Sequence, residues 1–483
     1  METGPDPAVG GWTWADDDLT AMAQQAAAVL ADILRDGPTG SAVRRPPADQ
    51  VAAWADAPWP DEGRSPADVL DEVATTIAPY PFGNAHPRYS AWVNSPPHPL
   101  GAAAAGLAAA MNPSVAGGNH AAVHLEHLTV RWFTELLGWP NTAGGYFVSG
   151  GSAATLSALA AARHRATAGI GHDDRRDGIA TLGRRAVVYA SAEAHSCVTK
   201  AVEALGLGSA NITRIGVDAE HRLRPDELDR QLTADRDGGV LPVAVVASVG
   251  TVNSGAVDPI AEIATVCAAH QVWLHVDAAY GGPAILLLDE WESTRRSLAR
   301  ADSVALDPHK WLYVPVDAGL VLFADPSTAR DTFSLVPEYL RTAGDADEPV
   351  WFSEFGLEQT RPFRALKVWA TLSHLGKAGV RRLIARDIAA AQALCAAVTA
   401  APDFDLLASG LSVVCFRHHP PELPDDELDA HNKRLLAAVL QRGQAFVAGT
   451  QVDGAAAFRV CVVNPGTTTT HLMALLDEIR ACL

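Results

Sequence analysis

The chain has 483 residues, and its 37 basic and 56 acidic side chains give a formal net charge of −19 at pH 7. An acidic balance of this size argues against nucleic acid or an anionic membrane as the partner. The hydrophobic content of 48% and the charged content of 19% are typical of a globular protein long enough for more than one buried core.

The N-terminus and the cysteines indicate the compartment. The segment METGPDPAVGGWTWADDD has no positive region followed by an apolar core, unlike a signal peptide. The most apolar stretch, at 100–111, is rich in alanine and shorter than a bilayer span. The six cysteines form no C-x-x-C pair, which indicates reduced thiols rather than disulfides or a zinc site. We therefore expect a cytoplasmic protein without a membrane segment.

The first two thirds of the chain predict an α/β fold. Residues 15–35 have the pattern of an amphipathic helix, and 36–66 form a connector rich in Pro, Asp and Arg. Further on, β-branched runs alternate with helical patterns, and the predicted strands are 186–190, 242–250, 272–278, 303–306 and 318–324. Continuous apolar strands separated by helices indicate a parallel sheet covered on both faces.

The last third predicts a smaller α+β unit. Residues 366–399 have the pattern of long helices. They are followed by a strand at 411–417, a helix near 426–442, a strand at 458–464 and a final helix. No internal repeat interrupts this order.

The stretch GGSAATL, which follows the strand-like YFV, is a candidate phosphate site. Gly151 and Ser152 open an alanine-rich helix, and the exposed N–H groups of a helix start attract anions. The alternative is an ordinary glycine turn with a serine cap.

Three further residues follow predicted strands, where sites of parallel sheets lie. Asp277 ends a buried strand and needs a cation, such as a protonated pyridine nitrogen, or else it caps the next loop. Lys310 is one of only five lysines, and in an apolar site or near other cations it would lose its proton and form a Schiff base. His195 is suited to stacking on a flat ring or to proton transfer. The alternatives are a solvated lysine and a hydrogen-bonded loop histidine.

Together the four features are the components of a site for pyridoxal 5'-phosphate (PLP). In this arrangement the chain resembles the group II PLP-dependent amino-acid decarboxylases, which include enzymes for aromatic amino acids, histidine and glutamate. The matching stretches are HPRYSAW (86–92), YFVSGGSAATLSALAAAR (146–163), YASAEAHSCVTKA (189–201), VASVGTVNSGAVDPI (246–260), VWLHVDAAYGG (272–282), DPHKWLYVPVDAG (307–319), VPEYL (336–340) and FRALKVW (363–369).

The resemblance spans about residues 80–480 and is most specific from 146 to 320. It implies the aspartate-aminotransferase-like fold (fold type I), with a mixed, mostly parallel sheet and a smaller α+β C-terminal domain. It also implies a homodimer with shared active sites. The expected division is 1–98 as a helical segment packed on the dimer partner, 99–373 as the PLP-binding domain and 374–483 as the small domain.

The resemblance assigns roles around the cofactor ring. Lys310 would hold PLP as a Schiff base, and Asp277 would pair with the ring nitrogen. His195 would stack on one face of the ring, with Ala279 against the other.

Around the phosphate, the resemblance assigns Gly151 and Ser152, with His309 nearby. Asp307 stands where the family often has Asn, and because an ionised carboxylate would repel a phosphate, its part in phosphate binding stays open. The proton donor in similar enzymes is a tyrosine on a mobile loop that reaches the neighbouring subunit's site, and the matching residue is Tyr339. Relatives with Phe there tend to yield aldehyde, so Tyr339 favours simple decarboxylation to the amine and CO2.

The expected substrate pocket is more polar than in the aromatic amino-acid decarboxylases. The residues assigned to it are Trp92, Val93, Asn94, Asn112 and Ser114, with Asn84 and Ser95 beside them. Amide and hydroxyl groups without partners would disfavour a purely apolar ring, unless they face away as turn residues. No Arg is obviously placed to bind a side-chain carboxylate, which argues against glutamate.

Alternatives to a decarboxylase of an aromatic or smaller polar L-amino acid remain. One is an aldehyde synthase or another PLP reaction on the same fold, and the other is a catalytically silent PLP-fold protein. A metal site at His120, His124 and His127 or at His418 and His419 is not expected, since an interface role suits them better.

Overall fold

The computed structural model describes residues 14–335 and 351–483. The strands are β1 Gly144–Val148, β2 Ala186–Ser191, β3 Ile212–Ile215, β4 Leu241–Ser248, β5 Trp273–Asp277, β6 Ser303–Leu306, β7 Gly319–Phe323, β8 Phe404–Gly410, β9 Val413–His418, β10 Ala448–Val452 and β11 Ala455–Cys461. The α-helices are α1 Asp16–Asp36, α2 Ala48–Asp56, α3 Pro66–Glu72, α4 Pro99–Met111, α5 Ala121–Leu136, α6 Gly151–Ala168, α7 Asp174–Asp177, α8 Cys197–Ala204, α9 Pro225–Asp237, α10 Ile260–Ala269, α11 Gly282–Leu287, α12 Glu292–Leu298, α13 Ser327–Phe333, α14 Arg364–Ala400, α15 Leu428–Arg442 and α16 Thr469–Arg480.

The larger sheet has seven strands in the order β1-β7-β6-β5-β4-β2-β3. Strands β3, β2, β4, β5 and β6 pair in parallel, whereas β7 is antiparallel to both β6 and β1. Every residue of β2, β4 and β6 is buried, because apolar side chains on both faces are covered by helices. The expected α/β fold with a mixed, mostly parallel sheet is therefore confirmed.

The smaller sheet is antiparallel, with the order β10-β11-β9-β8. Helices α14, α15 and α16 contribute to its separate core, in which Leu394, Phe416, Val439, Phe458 and Ile479 are buried. This part is the expected small α+β unit at the C-terminus.

Helix α14 joins the two cores. Its backbone leaves helical geometry at Gly376, where φ is +61°. Among the described residues it is the one helix long and apolar enough to cross a bilayer. However, Val368 and Ile384 are buried in the large core and Leu394 and Val398 in the small one, as in the core helix of a globular protein.

Several boundaries differ from the sequence-based prediction. The connector at 36–66 contains helix α2, and strands β3, β8 and β10 were not predicted. Strands β8 and β10 are half exposed and β3 is a four-residue edge strand, so none has a continuous apolar run. The expected domain boundary at 373/374 falls inside helix α14, close to Gly376, and the three-part division stays a prediction.

Candidate active site

The candidate site is a cavity of about 570 Å³ at the carboxyl ends of β2, β4, β5 and β6. These four strands are neighbours in the sheet, so the loops after them meet at one edge. The lining residues are Trp92, Val93, Ser149, Gly150, Gly151, Ser152, Ala153, His195, Cys197, Ser248, Gly250, Thr251, Val252, Asp277, Ala279, Tyr280, Asp307, His309, Lys310, Val316 and Arg459. All the residues expected to contact the cofactor are among them.

Lys310 lies between two carboxylates. Its Nζ is 2.9 Å from Oδ2 of Asp307. Burial lowers the pKa of Lys310, but the attraction of Asp307 and then of Asp277 outweighs it, so the pKa lies above its ordinary value. The two carboxylates therefore favour the ammonium form of Lys310, and its role as the Schiff-base lysine stays a prediction.

The turn that carries Lys310 is fixed from outside the strand. Ser95 donates its hydroxyl to the Lys310 carbonyl. The indole N–H of Trp311 and the phenol of Tyr313 each donate to Oδ2 of Asp387, both at 2.9 Å. These buried contacts hold both sides of the lysine in place.

Asp277 and His195 face the cavity from the ends of β5 and β2, which lie on either side of β4 in the sheet. Oδ1 of Asp277 accepts the Ala279 N–H at 3.2 Å, and Oδ2 accepts the Cys197 thiol at 3.8 Å. Neither donor is charged, so this carboxyl group is available to pair with a cation such as a protonated ring nitrogen.

His195 has a defined tautomer. The Cys197 N–H donates to its Nδ1 at 3.1 Å, which places the proton of the neutral ring on Nε2. Burial lowers the pKa of His195, although the nearby Asp277 opposes this shift. A neutral, flat imidazole is thus held at the cavity wall.

The start of helix α6 forms an anion cradle. The first helical hydrogen bond runs from the Ala154 N–H to the Gly150 carbonyl, so the N–H groups before it are available to a ligand. A Cβ atom at Gly151 would lie 3.0 Å from both Ala279 Cβ and Asp307 Oδ2. A side chain at this position would crowd the space, and the cradle, the acid at the ring end and the lysine together fit PLP.

The residues expected to bind substrate are only partly brought together. Trp92 and Val93 line the cavity, but Asn94, Asn112 and Ser114 are not among its lining residues. Asn112 instead ends helix α4 in the left-handed conformation, with φ of +44°.

The two neighbouring polar groups are also engaged in the fold. The Asn84 amide donates to the Ser95 carbonyl at 2.9 Å, and the Ser95 hydroxyl is bound to Lys310. The structure therefore gives no support for a lining rich in amide groups.

One cation in the cavity was missed. Arg459, on β11 of the small sheet, is buried and donates from Nε to the Val252 carbonyl at 2.6 Å and from Nη1 to the Ala91 carbonyl at 2.8 Å. These bonds leave Nη2 for a ligand. Sequence analysis did not identify Arg459 as a residue of this cavity, and the expectation that no Arg binds a side-chain carboxylate stays a prediction. The signal in the sequence was a single charged residue, Arg459, within the otherwise apolar strand AAAFRVC.

Other candidates lie elsewhere. Tyr339 lies outside the described residues. His124 binds Asn119, at 2.8 Å, and His127 stacks on Phe352, with ring centroids 4.4 Å apart. Within residues 14–335 and 351–483, no group of three or more potential ligands has the geometry of a metal site.

Comparisons with known proteins agree with this geometry. Residues 48–419 match the model of the pyridoxal-dependent decarboxylase conserved domain. An aromatic-L-amino-acid decarboxylase of Bacillus atrophaeus is 35% identical over 87% of this chain and 86% of its own length. An L-2,4-diaminobutyrate decarboxylase of Rhizobium meliloti is 32% identical over 87% of this chain and 83% of its own.

A solved structure supports the same assignment. The crystal structure of Oryza sativa TDC with PLP and tryptamine superposes with a TM-score of 0.89 at 28% identity, covering 97% of this chain and 98% of that one. The chain therefore belongs to the pyridoxal-dependent decarboxylases, a family of carboxy-lyases that act on amino acids with PLP as cofactor.

Proposed function

We propose that this enzyme decarboxylates an L-amino acid with a large apolar side chain, most simply an aromatic one, to the amine and CO2. The observation that carries the proposal is the lining of the cavity. Its apolar members beyond the cofactor residues include Trp92, Val93, Val252 and Val316, and no amide side chain of the described residues lines it. The side chains of Val93, Val252 and Val316 offer a polar substrate group no hydrogen-bond partner.

The aromatic wall at the cavity mouth supports the same proposal. Trp92 stacks on Phe82, with ring centroids 5.2 Å apart and an interplanar angle of 21°. The edge of Phe446 packs against Trp92, with centroids 5.3 Å apart. These contacts hold the indole as a fixed apolar surface, and Trp92 remains 48% exposed for contact with a substrate.

The proposed roles are those that the family resemblance implies, and the position of these residues in one cavity supports them. Lys310 binds the cofactor covalently, and the Asp277 carboxylate keeps a proton on the ring nitrogen. His195 and Ala279 sandwich the ring, while Gly151, Ser152 and His309 surround the phosphate. When bound, PLP would accept into its ring the electrons of the bond that breaks when the carboxylate leaves as CO2.

Arg459 is proposed to position the substrate. Its Nη2 is the cationic group left for a carboxylate, since Nε and Nη1 bind backbone carbonyls. Held from two sides, the guanidinium orients the substrate's α-carboxylate without moving.

The test is a substrate panel. The PLP-loaded enzyme is incubated separately with aromatic, aliphatic and polar L-amino acids, including L-2,4-diaminobutyrate and L-glutamate. Products are identified by mass spectrometry, and peroxide is measured in parallel. We expect an amine lighter than an aromatic substrate by CO2, without peroxide.

The Val93→Asn variant is the matched control for side-chain recognition. A buried amide without a partner should lower kcat/KM for the aromatic substrate by about tenfold or more. Faster turnover of a polar amino acid by the parent enzyme would refute the apolar pocket but not the decarboxylase activity. An aldehyde with peroxide as the main product would instead support an aldehyde synthase.

We also propose that the enzyme is a cytoplasmic homodimer with shared active sites. Helices α1, α2 and α3 have no buried residues, and apolar side chains of α4 such as Leu107 are exposed. A second copy would cover these surfaces. The six cysteines form no disulfide in the described structure, which suits a reducing compartment.

A further inference from the structure

Within the part of the chain that the structure describes, only one of the two carboxylate oxygens of Asp307 has a polar partner. It directly follows β6 and is 2% exposed. Its Oδ2 pairs with Lys310 Nζ at 2.9 Å, whereas Oδ1 is buried without a hydrogen-bond partner among the described residues. Such a group is costly to bury, so its main compensation in this state is the lysine.

The surroundings of Asp307 connect the lysine with the anion cradle. On its own turn, His309 Nε2 lies 3.8 Å from the same Oδ2. The start of helix α6 approaches from the other side, where a Cβ at Gly151 would lie 3.0 Å from Oδ2.

The remaining titratable groups near this pair are Asp277, His195 and Cys197. Asp277 is at the end of β5, and the other two follow β2. Asp277 adds to the attraction on Lys310, while His195 is neutral in the tautomer described above. Asp307 is therefore the nearest counter-ion of the lysine.

Capture of the cofactor requires this pair to separate. Nζ must be a neutral amine to attack the aldehyde carbon, so the ammonium first loses a proton. The C–N bond forms as the C=O bond breaks, and the oxygen leaves as water with two of the three ammonium protons. The remaining proton stays on the new C=N nitrogen, which balances atoms and charge without another reactant.

We propose that Asp307 is an ionic latch: it holds Lys310 as an ammonium ion in the cofactor-free enzyme and sets the pH at which the enzyme captures PLP. This role concerns cofactor loading and does not depend on the substrate proposed above. The raised pKa of Lys310 agrees with the latch, since Asp307 is the strongest opponent of the lowering by burial.

The first experiment measures the rate of covalent attachment against pH, by the absorbance of the bound cofactor, for the cofactor-free parent and Asp307→Asn. The amide removes the charge and keeps the shape. We expect attachment at pH 7 to be about tenfold faster in the variant, because loss of the Asp307 charge lowers the lysine pKa and leaves more of the amine neutral. The half-maximal rate should also move to lower pH.

Two probes separate the latch from repulsion of the phosphate. Pyridoxal has the aldehyde but no phosphate, so the latch predicts the same acceleration with pyridoxal and with PLP. An acceleration with PLP alone would overturn the latch in favour of phosphate repulsion. Equal pH profiles in parent and variant would overturn it as well.

A control variant tests whether the effect is specific to this ion pair, and a second measurement needs no variant at all. Asp289→Asn makes the same change at an exposed carboxylate that pairs with Arg381 and does not line the cavity, so its pH profile should not move. In the parent enzyme, reductive methylation followed by peptide mass spectrometry gives a pH midpoint for each lysine. The Lys310 midpoint should exceed that of exposed Lys377, and a lower midpoint would refute the latch.

Discussion

At the residue scale, Lys310 is the proposed attachment site of the cofactor and also forms an ion pair with Asp307. Lys310→Ala should abolish turnover and covalent attachment, because no other lysine of the described residues lines the cavity. Borohydride reduction followed by peptide mass spectrometry measures the attachment site. Lys377→Ala, which changes an exposed lysine, should leave both properties intact. PLP bound to another lysine in the parent enzyme would show that the assignment of Lys310 is wrong.

Tyr339 bears on the product. On the proton-donor role that the family resemblance implies, Tyr339→Phe should lower the rate of amine formation and raise the yield of aldehyde and peroxide. Chromatography of the products with a peroxide assay measures this ratio. An unchanged ratio would remove Tyr339 from the mechanism.

The raised pKa of Asp387 predicts that the stability of the fold depends on pH. Burial raises the pKa of this carboxyl to about 7, although Trp311 and Tyr313 donate hydrogen bonds that oppose the shift. Because the pKa in the unfolded chain is about 3.9, the folded state binds the proton more tightly. The stabilisation present below about pH 4 is therefore lost as pH rises towards 7.

Asp387→Asn removes this titration but keeps an acceptor for both donors. Between pH 5 and pH 8 the parent should lose about 2 to 3 kcal/mol more unfolding free energy than the variant. Urea denaturation of both proteins at the two pH values measures the difference. Parallel losses would show that Asp387 does not titrate in this range.

At the element scale, one buried ion pair ties helix α5 to strand β1. Arg361 binds Glu126 and also donates to the carbonyls of Val115, at 2.8 Å, and Phe147, at 2.7 Å. Glu126 in turn accepts the Phe147 N–H at 3.1 Å. The strand that precedes the anion cradle is thus anchored by two buried charges.

Glu126→Gln should destabilise the fold by about 3 to 5 kcal/mol, because it leaves the Arg361 cation buried without its counter-charge. The matched control is Glu135→Gln, which breaks the exposed Arg131–Glu135 pair of the same helix and should cost under about 1 kcal/mol. Urea denaturation measures both. Equal losses would mean that burial of the pair does not matter.

At the scale of the whole molecule, the proposed dimer depends on the exposed face of α4. Leu107 is 63% exposed, and a carboxylate buried there would be costly. Leu107→Glu should shift the protein from dimer to monomer in light scattering and lower activity in parallel. Ile170→Glu, at another exposed apolar position, should do neither. A parent enzyme that is monomeric and fully active would refute the shared-site proposal.

Much of the site was predictable from the sequence, because its chemistry lies where strands end. The lysine, the aspartate, the histidine and the glycine-rich helix start each follow an apolar run within a few residues. A parallel sheet brings such positions to one edge. Local order along the chain therefore determined the α/β fold, the cofactor and most of the residues around it.

Only the tertiary structure decided which charges face one another. Lys310 meets two carboxylates instead of cations, and Asp387 reaches Trp311 from 76 residues away. Arg459 enters the cavity from the other sheet, through contacts with a backbone 207 residues earlier. Strand β10 is half exposed and lacks a continuous apolar run, so its place in the sheet is defined by pairing with β11. Burial, charge pairing and edge pairing depend on distances across the fold, which the spacing of residues along the chain does not contain.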